Sequence, residues 1–402
     1  MKVGILREGK TPPDKRVPLT PEQCVEVMRT FPEVTVVVQP SPIRSFTDDE
    51  YAALDIPLQE DLSDCDVLLG VKEVRIEDFI PGKIYFFFSH TIKKQEYNRK
   101  LLQTVLEKKI QLVDYEVLTN KDGFRIIGFG RFAGLVGAYN GLRAFGLKNV
   151  LYELKPAHQC ADLAEMLHHL ENVNLPPVKI AVTGDGRVAG GVLEVLEHLK
   201  VMRVTPEGFL NETEPESAIY VQLLPNNYAK RTDGEAFDLM HFFNHPEMYE
   251  NSFHPFAEAT DLLIASAYWD PKAPVLFTSE EMKDPDFRIS VISDITCDIE
   301  GSIPSTKKAS TIDDPFYDYN PQSGDLEDAF SNPKNVSVQA VDNLPCELPK
   351  DASLDFGRNL IDKVFPSLFI KDKDAIIEGA SITKDGKLTE PFLYLQDFAN
   401  GK

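Results

Sequence analysis

Two side chains capable of proton transfer end neighbouring hydrophobic runs in the N-terminal quarter of the chain. The run DVLLGVK ends at Lys72, and the run KIYFFFSH ends at His90. If both runs are parallel strands, the two side chains lie at the carboxyl edge of one sheet, where α/β folds place their ligand crevices. Burial and a neighbouring cation lower the pKa of a lysine toward neutrality, which suits it to acid–base catalysis. The pair is therefore a candidate general acid and base, and a solvated lysine with a loop histidine is the alternative.

Two arginines follow the first predicted strand. Arg7 follows it directly, and Arg16 lies in the loop beyond it. A guanidinium binds a carboxylate through two parallel hydrogen bonds, so either side chain could hold an acidic substrate. Surface charge is the commoner role of a single arginine, and the residues alone leave both roles open.

A glycine-rich turn, VTGDGRVAGG, joins a predicted strand to a predicted helix in the middle of the chain. Gly184, Gly186 and Ala189 match the pattern G-x-G-x-x-A. The glycines permit a tight turn, and the backbone N–H groups at the start of the helix would face a pyrophosphate. This context predicts a dinucleotide cofactor, with a plain strand–helix turn as the alternative.

The next predicted strand lacks the carboxylate that holds the ribose hydroxyls of NAD. That acid is expected about 20 residues after the glycines, at the strand tip. Here the strand ends Arg203-Val204-Thr205. The absence weakens a preference for NAD and leaves NADP open, with Arg203, Lys230 or Arg231 available for a 2′-phosphate. The predicted cofactor is therefore NAD or NADP.

The scaffold that would position these residues alternates strands with amphipathic helices. Capping boxes predict helices after Thr20 and Thr47, and further helices are predicted over residues 94–109, 188–199 and 351–364. Strands are predicted at residues 2–6, 34–38, 66–71, 83–88, 110–114, 178–182, 202–204, 219–223, 261–265 and 289–292. This alternation is typical of α/β architecture.

Two further stretches have a distinctive composition. Gly130, Gly134, Gly137 and Gly141 recur at helical spacing, and we expect them to let a helix pack tightly at a domain junction rather than contact a ligand. Residues 313–333 are rich in Pro and Asp, and we expect them to form an exposed connection.

Composition restricts the classes of partner. The chain has 402 residues, with 64 acidic and 42 basic side chains and a formal charge of −22. Its length predicts two domains, and its charge disfavours nucleic acid and membrane surfaces as partners. Five scattered cysteines without C-x-x-C and eight histidines without H-E-x-x-H predict neither disulfides nor a metal site. The N-terminus has no apolar segment typical of a signal peptide, so a cytoplasmic location is predicted.

A series of segments along nearly the whole chain is shared with one known family. They include LREGKTPPDKRVPLTP, QPSPIRSF, YFFFSHTIKKQ, FGRFAG, VTGDGRVAGG, SDITCDIEGSIPS, TIDDPFYDY and VDNLPCELPKDAS. In this order they resemble the saccharopine dehydrogenase (L-lysine-forming) group, and most closely the lysine–2-oxoglutarate reductase domain of bifunctional aminoadipic semialdehyde synthases. Alanine dehydrogenase and transhydrogenase belong to the same superfamily, and their resemblance is weaker.

The resemblance implies a fold and a set of site residues. The fold is α/β, with two Rossmann-like domains, a cleft between them and a C-terminal helix returning to the N-terminal domain. Residues 1–130 and 325–402 would form the substrate domain, and residues 131–324 the dinucleotide-binding domain. The catalytic residues of the family fall on Lys72 and His90, its substrate-side positions on Arg16, Gln95, Phe129 and Glu116, and its cofactor-side positions on Arg125, Gly186, Arg187, Tyr268 and Asp294, in addition to Gly184 and Ala189 of the turn.

The implied activity is that of a nicotinamide-dependent oxidoreductase acting on the C–N bond of an amino acid. By this resemblance lysine condenses with 2-oxoglutarate, and the imine accepts hydride to give saccharopine. An alanine-dehydrogenase-like amino-acid dehydrogenase and a non-catalytic dinucleotide-binding module are the alternatives. The partners would be a small amino acid and a 2-oxo acid, and the oligomeric state stays open. Arg131 stands where the family usually has a neutral residue, so it either favours an acidic substrate or pairs with Glu116.

Overall fold

The chain divides into two compact units. The computed structural model describes residues 1–9, 11 and 13–402. Unit 1 comprises Met1–Phe129 and Pro349–Lys402, and Unit 2 comprises Gly130–Leu348. Each unit has its own sheet and is described by itself.

The strands of the described residues are short and mostly buried. In chain order they are β1 (Lys2–Ile5), β2 (Thr35–Val38), β3 (Val67–Leu69), β4 (Ile84–Phe87), β5 (Gln111–Asp114), β6 (Lys179–Thr183), β7 (Met202–Val204), β8 (Ile219–Leu223), β9 (Ala229–Arg231), β10 (Tyr249–Asn251), β11 (Leu262–Ala265), β12 (Val291–Asp294), β13 (Phe316–Tyr319), β14 (Leu326–Glu327), β15 (Val336–Gln339), β16 (Ser381–Lys384) and β17 (Lys387–Leu388). All ten strands predicted from the sequence form, with bounds that differ from the predicted ones by at most two residues at each end.

The helices of the described residues range from one turn to five. They are α1 (Pro21–Thr30), α2 (Asp48–Ala52), α3 (Glu96–Glu107), α4 (Gly130–Lys148), α5 (Leu163–Leu170), α6 (Arg187–His198), α7 (Pro206–Asn211), α8 (Pro225–Tyr228), α9 (Leu239–Asn244), α10 (His254–Ala259), α11 (Pro349–Asn359), α12 (Phe365–Phe369), α13 (Ile376–Ala380) and α14 (Gln396–Ala399). None of these helices is long and apolar enough to span a membrane.

Unit 1 is built on one sheet with the strand order β17-β16-β5-β4-β3-β1-β2. The strands from β5 to β2 are parallel, and β16 and β17 join antiparallel at the β5 edge. Alternate side chains enter two different cores, since Phe86 lies in one and Tyr85 and Phe87 lie in the other. Both faces of the sheet are therefore covered, which explains the continuous hydrophobic runs of its strands.

The predicted caps and the return of the C-terminal helix are both confirmed in Unit 1. Thr20 and Thr47 each form a complete capping box, at the start of α1 and α2. The helix α11 packs beside α1, where the Gln23 side chain donates to the Leu354 carbonyl at 2.8 Å. The C-terminal segment thus belongs to the same unit as the first strands.

Unit 2 is built on a sheet with the strand order β14-β13-β15-β12-β11-β6-β8-β7. The strands from β15 to β7 are parallel, and β13 and β14 are antiparallel. The strand β8 lies between β7 and β6, although β7 precedes it in the chain. Because of this order, the tip of β8 rather than the tip of β7 lies beside the glycine-rich turn that follows β6. Two parallel-dominated sheets in one chain confirm the predicted α/β class.

The expectation of an exposed connection over residues 313–333 is right for residues 322–333, which are mostly exposed, and wrong for residues 316–319. The strand β13 lies within this stretch and is buried, with Tyr317 and Tyr319 in the core of Unit 2. Its one charged residue, Asp318, accepts hydrogen bonds from Ser337 Oγ at 2.6 Å and Ser331 N at 3.1 Å, so the strand tolerates burial. Residues 336–339, expected in the first domain, pair with β12 in Unit 2.

Helices α4 and α6 approach each other closely through glycine. A side chain at Gly134 would overlap the Val188 carbonyl, and one at Gly191 would overlap the Arg131 carbonyl. A side chain at Gly141 would lie 2.9 Å from Ser293 Cβ on the adjacent sheet. The small residues of α4 therefore serve tight packing, as the sequence predicts.

Candidate functional site

Lys72 and His90 follow two adjacent parallel strands of Unit 1. Lys72 comes shortly after β3 and His90 shortly after β4, so both lie at the carboxyl edge of the sheet. His90 has a left-handed backbone, with φ of 54°, that turns the chain sharply after the strand. The structure therefore places both residues where the sequence expects them, and their catalytic roles stay a prediction.

Glu73, the residue after Lys72, orients the imidazole of His90. His90 Nδ1 pairs with the Glu73 carboxylate, and the two side chains are only 18% and 15% exposed. A carboxylate on Nδ1 fixes the tautomer and the ring orientation and leaves Nε2 for proton exchange. In the sequence, the only signal at Glu73 is its position directly after the lysine.

A second acid fixes the backbone of the turn after β3. The carboxylate of Glu8 accepts the N–H groups of Val71 and Lys72, at 2.6 and 2.9 Å. Burial, together with the nearby negative charge of Asp14, raises the pKa of Glu8 to about 8. Burial therefore favours the neutral form of the Glu8 carboxyl, which sits directly against the turn that carries Lys72.

Arg16 is buried in a bidentate ion pair rather than lying on the surface. Its Nε and Nη2 atoms bond the two oxygens of Asp14, at 3.0 and 2.6 Å, and both side chains are almost fully buried. Its Cζ atom also lies 4.1 Å from the ring centroid of Phe129, which stacks on Phe356. Burial would raise the pKa of Asp14, but the guanidinium outweighs it and holds the pKa well below its usual range. Arg16 is thus rigidly oriented, whereas Arg7 pairs with exposed Glu60.

The end of β5 positions Glu116. Asp114 accepts the backbone N–H of Ser89 at 3.0 Å and that of Glu116 at 2.7 Å. Burial raises the pKa of Asp114. Glu116 Oε1 lies 3.6 Å from Lys93 Nζ, and within the described part of the chain its buried Oε2 accepts no hydrogen bond. This orphaned oxygen fits a residue that receives a donor from a bound ligand.

Gln95 and Arg125 are both exposed, unlike the buried or half-buried residues described so far. Gln95 is exposed at the start of α3, where its amide oxygen accepts from Tyr97 at 2.7 Å. Arg125 donates to the Ile127 carbonyl at 3.0 Å and lies over the Phe88 ring. Among the described residues, no hydrogen bond ties Gln95 to the His90–Glu73 pair.

The glycine-rich turn of Unit 2 has the predicted strand–turn–helix context. Gly184 has φ of 94°, and a side chain there would lie 3.0 Å from the Ala267 Cα. Gly186 precedes α6, and the space that its Cβ would fill is open. No described side chain caps the helix, and Arg187 at its first position is exposed. Uncapped N–H groups beside open space fit a pyrophosphate, and Ala189 is fully buried as close helix–strand packing requires.

Tyr268 follows β11, and Asp294 is the last residue of β12. Tyr268 is 86% exposed at the rim of an apolar pocket that Thr183, Phe243 and Trp269 also line. Asp294 is buried, and its oxygens accept from the hydroxyls of Thr296 and Thr306, both at 2.6 Å. Burial raises the pKa of Asp294. This aspartate therefore organises the loop after β12 through its own neighbours.

The structure separates Thr205 from the glycine-rich turn. Thr205 directly follows β7, which is an edge strand whose neighbour is β8, not β6. Thr205 caps α7, where its Oγ1 accepts from Gly208 N at 3.0 Å. Leu224, at the tip of β8, is the residue beside the glycine-rich turn, since Leu223 pairs with Thr183.

Arg131 has a different partner from the one suggested by the sequence. Its Nε and Nη2 atoms bond the carboxylate of Glu194 on α6, at 2.7 and 2.6 Å. The pairing with Glu116, a residue of Unit 1, stays a prediction. Glu194 thus holds Arg131 against α6, and the effect of Arg131 on the choice of substrate stays a prediction.

One group in Unit 2 has the composition of a metal site. Cys160, Glu165 and His169 bring ligand atoms within 4.8 Å of one another. Lys155 Nζ lies 2.5 Å from Glu165 Oε1, and the Ala161 N–H donates to the other oxygen at 2.6 Å. The carboxylate is thus neutralised by an ammonium, which disfavours a cation at the same place.

Comparisons with known proteins agree on one family. Residues 4–136 match the profile of the alanine dehydrogenase/PNT N-terminal domain. The chain is 30% identical over 98% of its length to alpha-aminoadipic semialdehyde synthase of Arabidopsis thaliana and 28% identical to that of Mus musculus, and it spans less than half of either relative, 41% and 47%. It is 26% identical to saccharopine dehydrogenase [NAD(+), L-lysine-forming] of Emericella nidulans, with 92% of both chains covered.

Solved structures show the fold. An L-alanine dehydrogenase covers 100% of the chain with a TM-score of 0.63 at 14% identity, and 99% of that chain is matched. The transhydrogenase from Sinorhizobium meliloti covers 97%, with a TM-score of 0.58 at 16% identity and 99% of its own chain matched. The chain is thus similar over nearly its whole length to saccharopine dehydrogenases (L-lysine-forming) and to alpha-aminoadipic semialdehyde synthases, and it has the fold of the alanine dehydrogenases and transhydrogenases.

Proposed function

We propose that the chain is a nicotinamide-dependent oxidoreductase that forms or cleaves the C–N bond of saccharopine, as a lysine–2-oxoglutarate reductase. The observation that carries the proposal is the His90–Glu73 pair beside Lys72, at the same sheet edge as the oriented guanidinium of Arg16. The names of the relatives supply the substrate class.

The acid–base residues would serve the condensation of an amine with a 2-oxo acid. The amine must lose a proton as it attacks the carbonyl, and the resulting carbinolamine must gain one as water leaves. His90, held through Nδ1, exchanges a proton at Nε2, and Lys72 exchanges the second. Glu8 fixes the backbone of the turn that carries Lys72 by accepting its N–H.

The remaining Unit 1 residues would bind the substrate. Arg16 presents a guanidinium fixed by Asp14 and Phe129, so a substrate carboxylate meets an already oriented cation. Glu116 offers a buried acceptor for an ammonium or hydroxyl. Gln95 is the residue for which the structure gives least support, because it is exposed and bonds Tyr97.

The turn of Unit 2 would bind a dinucleotide, NAD or NADP. Gly184, Gly186 and Ala189 shape the turn, and Arg187 and the first N–H groups of α6 would hold the pyrophosphate. Tyr268 and the apolar pocket behind it offer a surface for a planar ring. The bound nicotinamide supplies the hydride, and the protein supplies orientation and proton transfer.

The proposal is tested by following the absorbance of reduced nicotinamide with the purified protein. Consumption of NADH or NADPH should require both lysine and 2-oxoglutarate. Consumption with ammonia in place of lysine would favour an alanine-dehydrogenase-like activity instead, and dinucleotide binding without turnover would favour a non-catalytic module. The variant Lys72→Met should lose turnover by roughly 10²–10⁴-fold while still binding the dinucleotide, and Lys100→Met on the exposed face of α3 is its control.

We also propose small-molecule partners and a cytoplasmic location. All five cysteines carry free thiols, which fits a reducing compartment. The mouse relative is a mitochondrial alpha-aminoadipic semialdehyde synthase, which makes mitochondria the alternative location. Fractionation of cells that express the protein distinguishes the two, and recovery in the mitochondrial fraction would overturn the cytoplasmic assignment.

A further inference from the structure

The order of the strands moves the ribose-recognition position to a different segment of the chain. In dinucleotide-binding α/β folds, the adenosine ribose lies over the tip of the strand next to the glycine-rich turn. That strand is β8, whose Leu223 carbonyl accepts from Gly184 N at 2.8 Å. The strand β7 pairs with β8 alone among the described strands, so its tip is one strand further away.

The tip of β8 carries no acid. Leu224 follows the last residue of the strand and precedes the short helix α8, and its backbone N–H donates to Asn227 Oδ1 at 2.8 Å. An apolar side chain at this position cannot accept hydrogen bonds from ribose hydroxyls. It also brings no negative charge that would repel a 2′-phosphate.

A hydrogen-bonded chain directs a cation toward the same place. Arg203 Nη2 donates to Gln222 Oε1 at 2.6 Å, and Gln222 Nε2 donates to the Gly184 carbonyl at 2.8 Å. The guanidinium is thus tied across β8 to the turn itself.

Arg203 differs from the other two basic residues near this edge. Lys230 pairs with Glu250 at 3.0 Å, and Arg231 pairs with Asp233 through two bonds. In the described structure Arg203 forms no ion pair with a carboxylate. It is exposed, so its remaining N–H groups are available to an anionic ligand.

We propose that the ribose of the dinucleotide is recognised at the tip of β8, where Arg203, held by Gln222, binds a 2′-phosphate, and that Thr205 has no part in cofactor selection. The inference rests on the proposed function and deepens it, because it selects NADPH over NADH. Gln222 is a positioning residue in this assignment, and Arg203 is the binding residue.

The first test compares the affinity of the full chain for NADPH and NADH by fluorescence titration, with 2′,5′-ADP as a probe that needs no turnover. The wild-type protein should bind NADPH at least about tenfold more tightly than NADH. The variant Arg203→Gln should lose about tenfold in affinity for NADPH and for 2′,5′-ADP and keep its affinity for NADH. Lys230→Gln should change neither, and an effect of Lys230→Gln in place of Arg203→Gln would overturn the proposal.

A matched pair of acids tests the strand assignment. Leu224→Asp should weaken NADPH binding and strengthen NADH binding, because a carboxylate then faces the ribose. Thr205→Asp should leave both affinities unchanged, since aspartate caps a helix as well as threonine does and the fold is kept. A switch of preference in Thr205→Asp but not in Leu224→Asp would overturn the inference.

The outcomes separate this inference from the proposed function. Equal affinity of the wild-type protein for NADH and NADPH, with saccharopine-forming turnover intact, would contradict the inference alone. Failure of the folded protein to bind either dinucleotide would contradict both.

Discussion

His90 receives its orientation from Glu73, and the turn that carries Lys72 receives its position from Glu8. Glu73 follows Lys72 in the sequence and Glu8 follows Arg7, yet neither acid was predicted to support the site. A glutamate beside a lysine is most often a solvated charge, and only the fold shows that Glu73 turns back to the strand end of β4. Lys72, His90 and Arg16 could be predicted because their residue types and strand-end positions are visible in sequence.

The Glu73 carboxylate can be removed without changing the size of the side chain. The variant Glu73→Gln should lower kcat by about 10–100-fold, because the imidazole loses its charged partner, while KM for the dinucleotide stays near the wild-type value. Steady-state kinetics with the reaction proposed above provide the measurement. The exposed Glu77→Gln, next to Arg75, is the control, and equal rates for both glutamine variants would contradict the role assigned to Glu73.

Glu8 predicts a dependence of stability on pH. Its pKa rises from the ordinary 4.5 to about 8 in the fold, so the folded chain binds this proton more tightly than the unfolded chain. The resulting stabilisation is complete below the ordinary value and is lost as the pH rises to about 8. Thermal unfolding at a series of pH values should therefore show a shallower decline for Glu8→Gln than for the wild type across this range. The exposed Glu33→Gln should keep the wild-type slope, and an identical slope in Glu8→Gln would exclude this contribution.

At the scale of elements, α4 and α6 can pack this closely only because the glycines at their contact have no side chain. Gly191→Ala should destabilise the protein by about 1–3 kcal/mol, because the new methyl group overlaps the Arg131 carbonyl and the helices must separate. The neighbouring Gly190 has open space around its Cβ position, so Gly190→Ala should be neutral or stabilise by about 0.5–1 kcal/mol. Denaturant unfolding measures both, and equal effects at the two positions would show that the contact is not tight.

Local patterns predicted most elements but not their arrangement. The capping residues of α1 and α2 and the hydrophobic runs of the strands act over a few residues, so they are legible in sequence. The placement of β8 between β6 and β7 is a matter of tertiary connection, and no local signal near Thr205 or Leu224 reports it. The burial of β13 was missed for a similar reason, since Asp318 looks solvent-exposed until Ser337 and Ser331 are seen to satisfy it.

At the scale of the molecule, the net charge of −22 sets how stability responds to salt. A surplus of carboxylates repels itself in the compact state, and salt screens that repulsion, with a Debye length that falls from about 30 Å at 0.01 M to about 8 Å at 0.15 M. The melting temperature should therefore rise when KCl is increased over this range at neutral pH. A fall would mean that attractive ion pairs outweigh the general repulsion.

The return of Pro349–Lys402 to Unit 1 has a consequence for biosynthesis. Unit 2 is continuous in the chain. In Unit 1, by contrast, β5 pairs with β16, and β16 is synthesised only after the whole of Gly130–Leu348. At about 5–20 residues per second, that synthesis takes roughly ten seconds or more. The nascent N-terminal segment therefore emerges with an unpaired strand edge, and we expect the second unit to reach its native state on the ribosome before the first, the reverse of the usual N-to-C order.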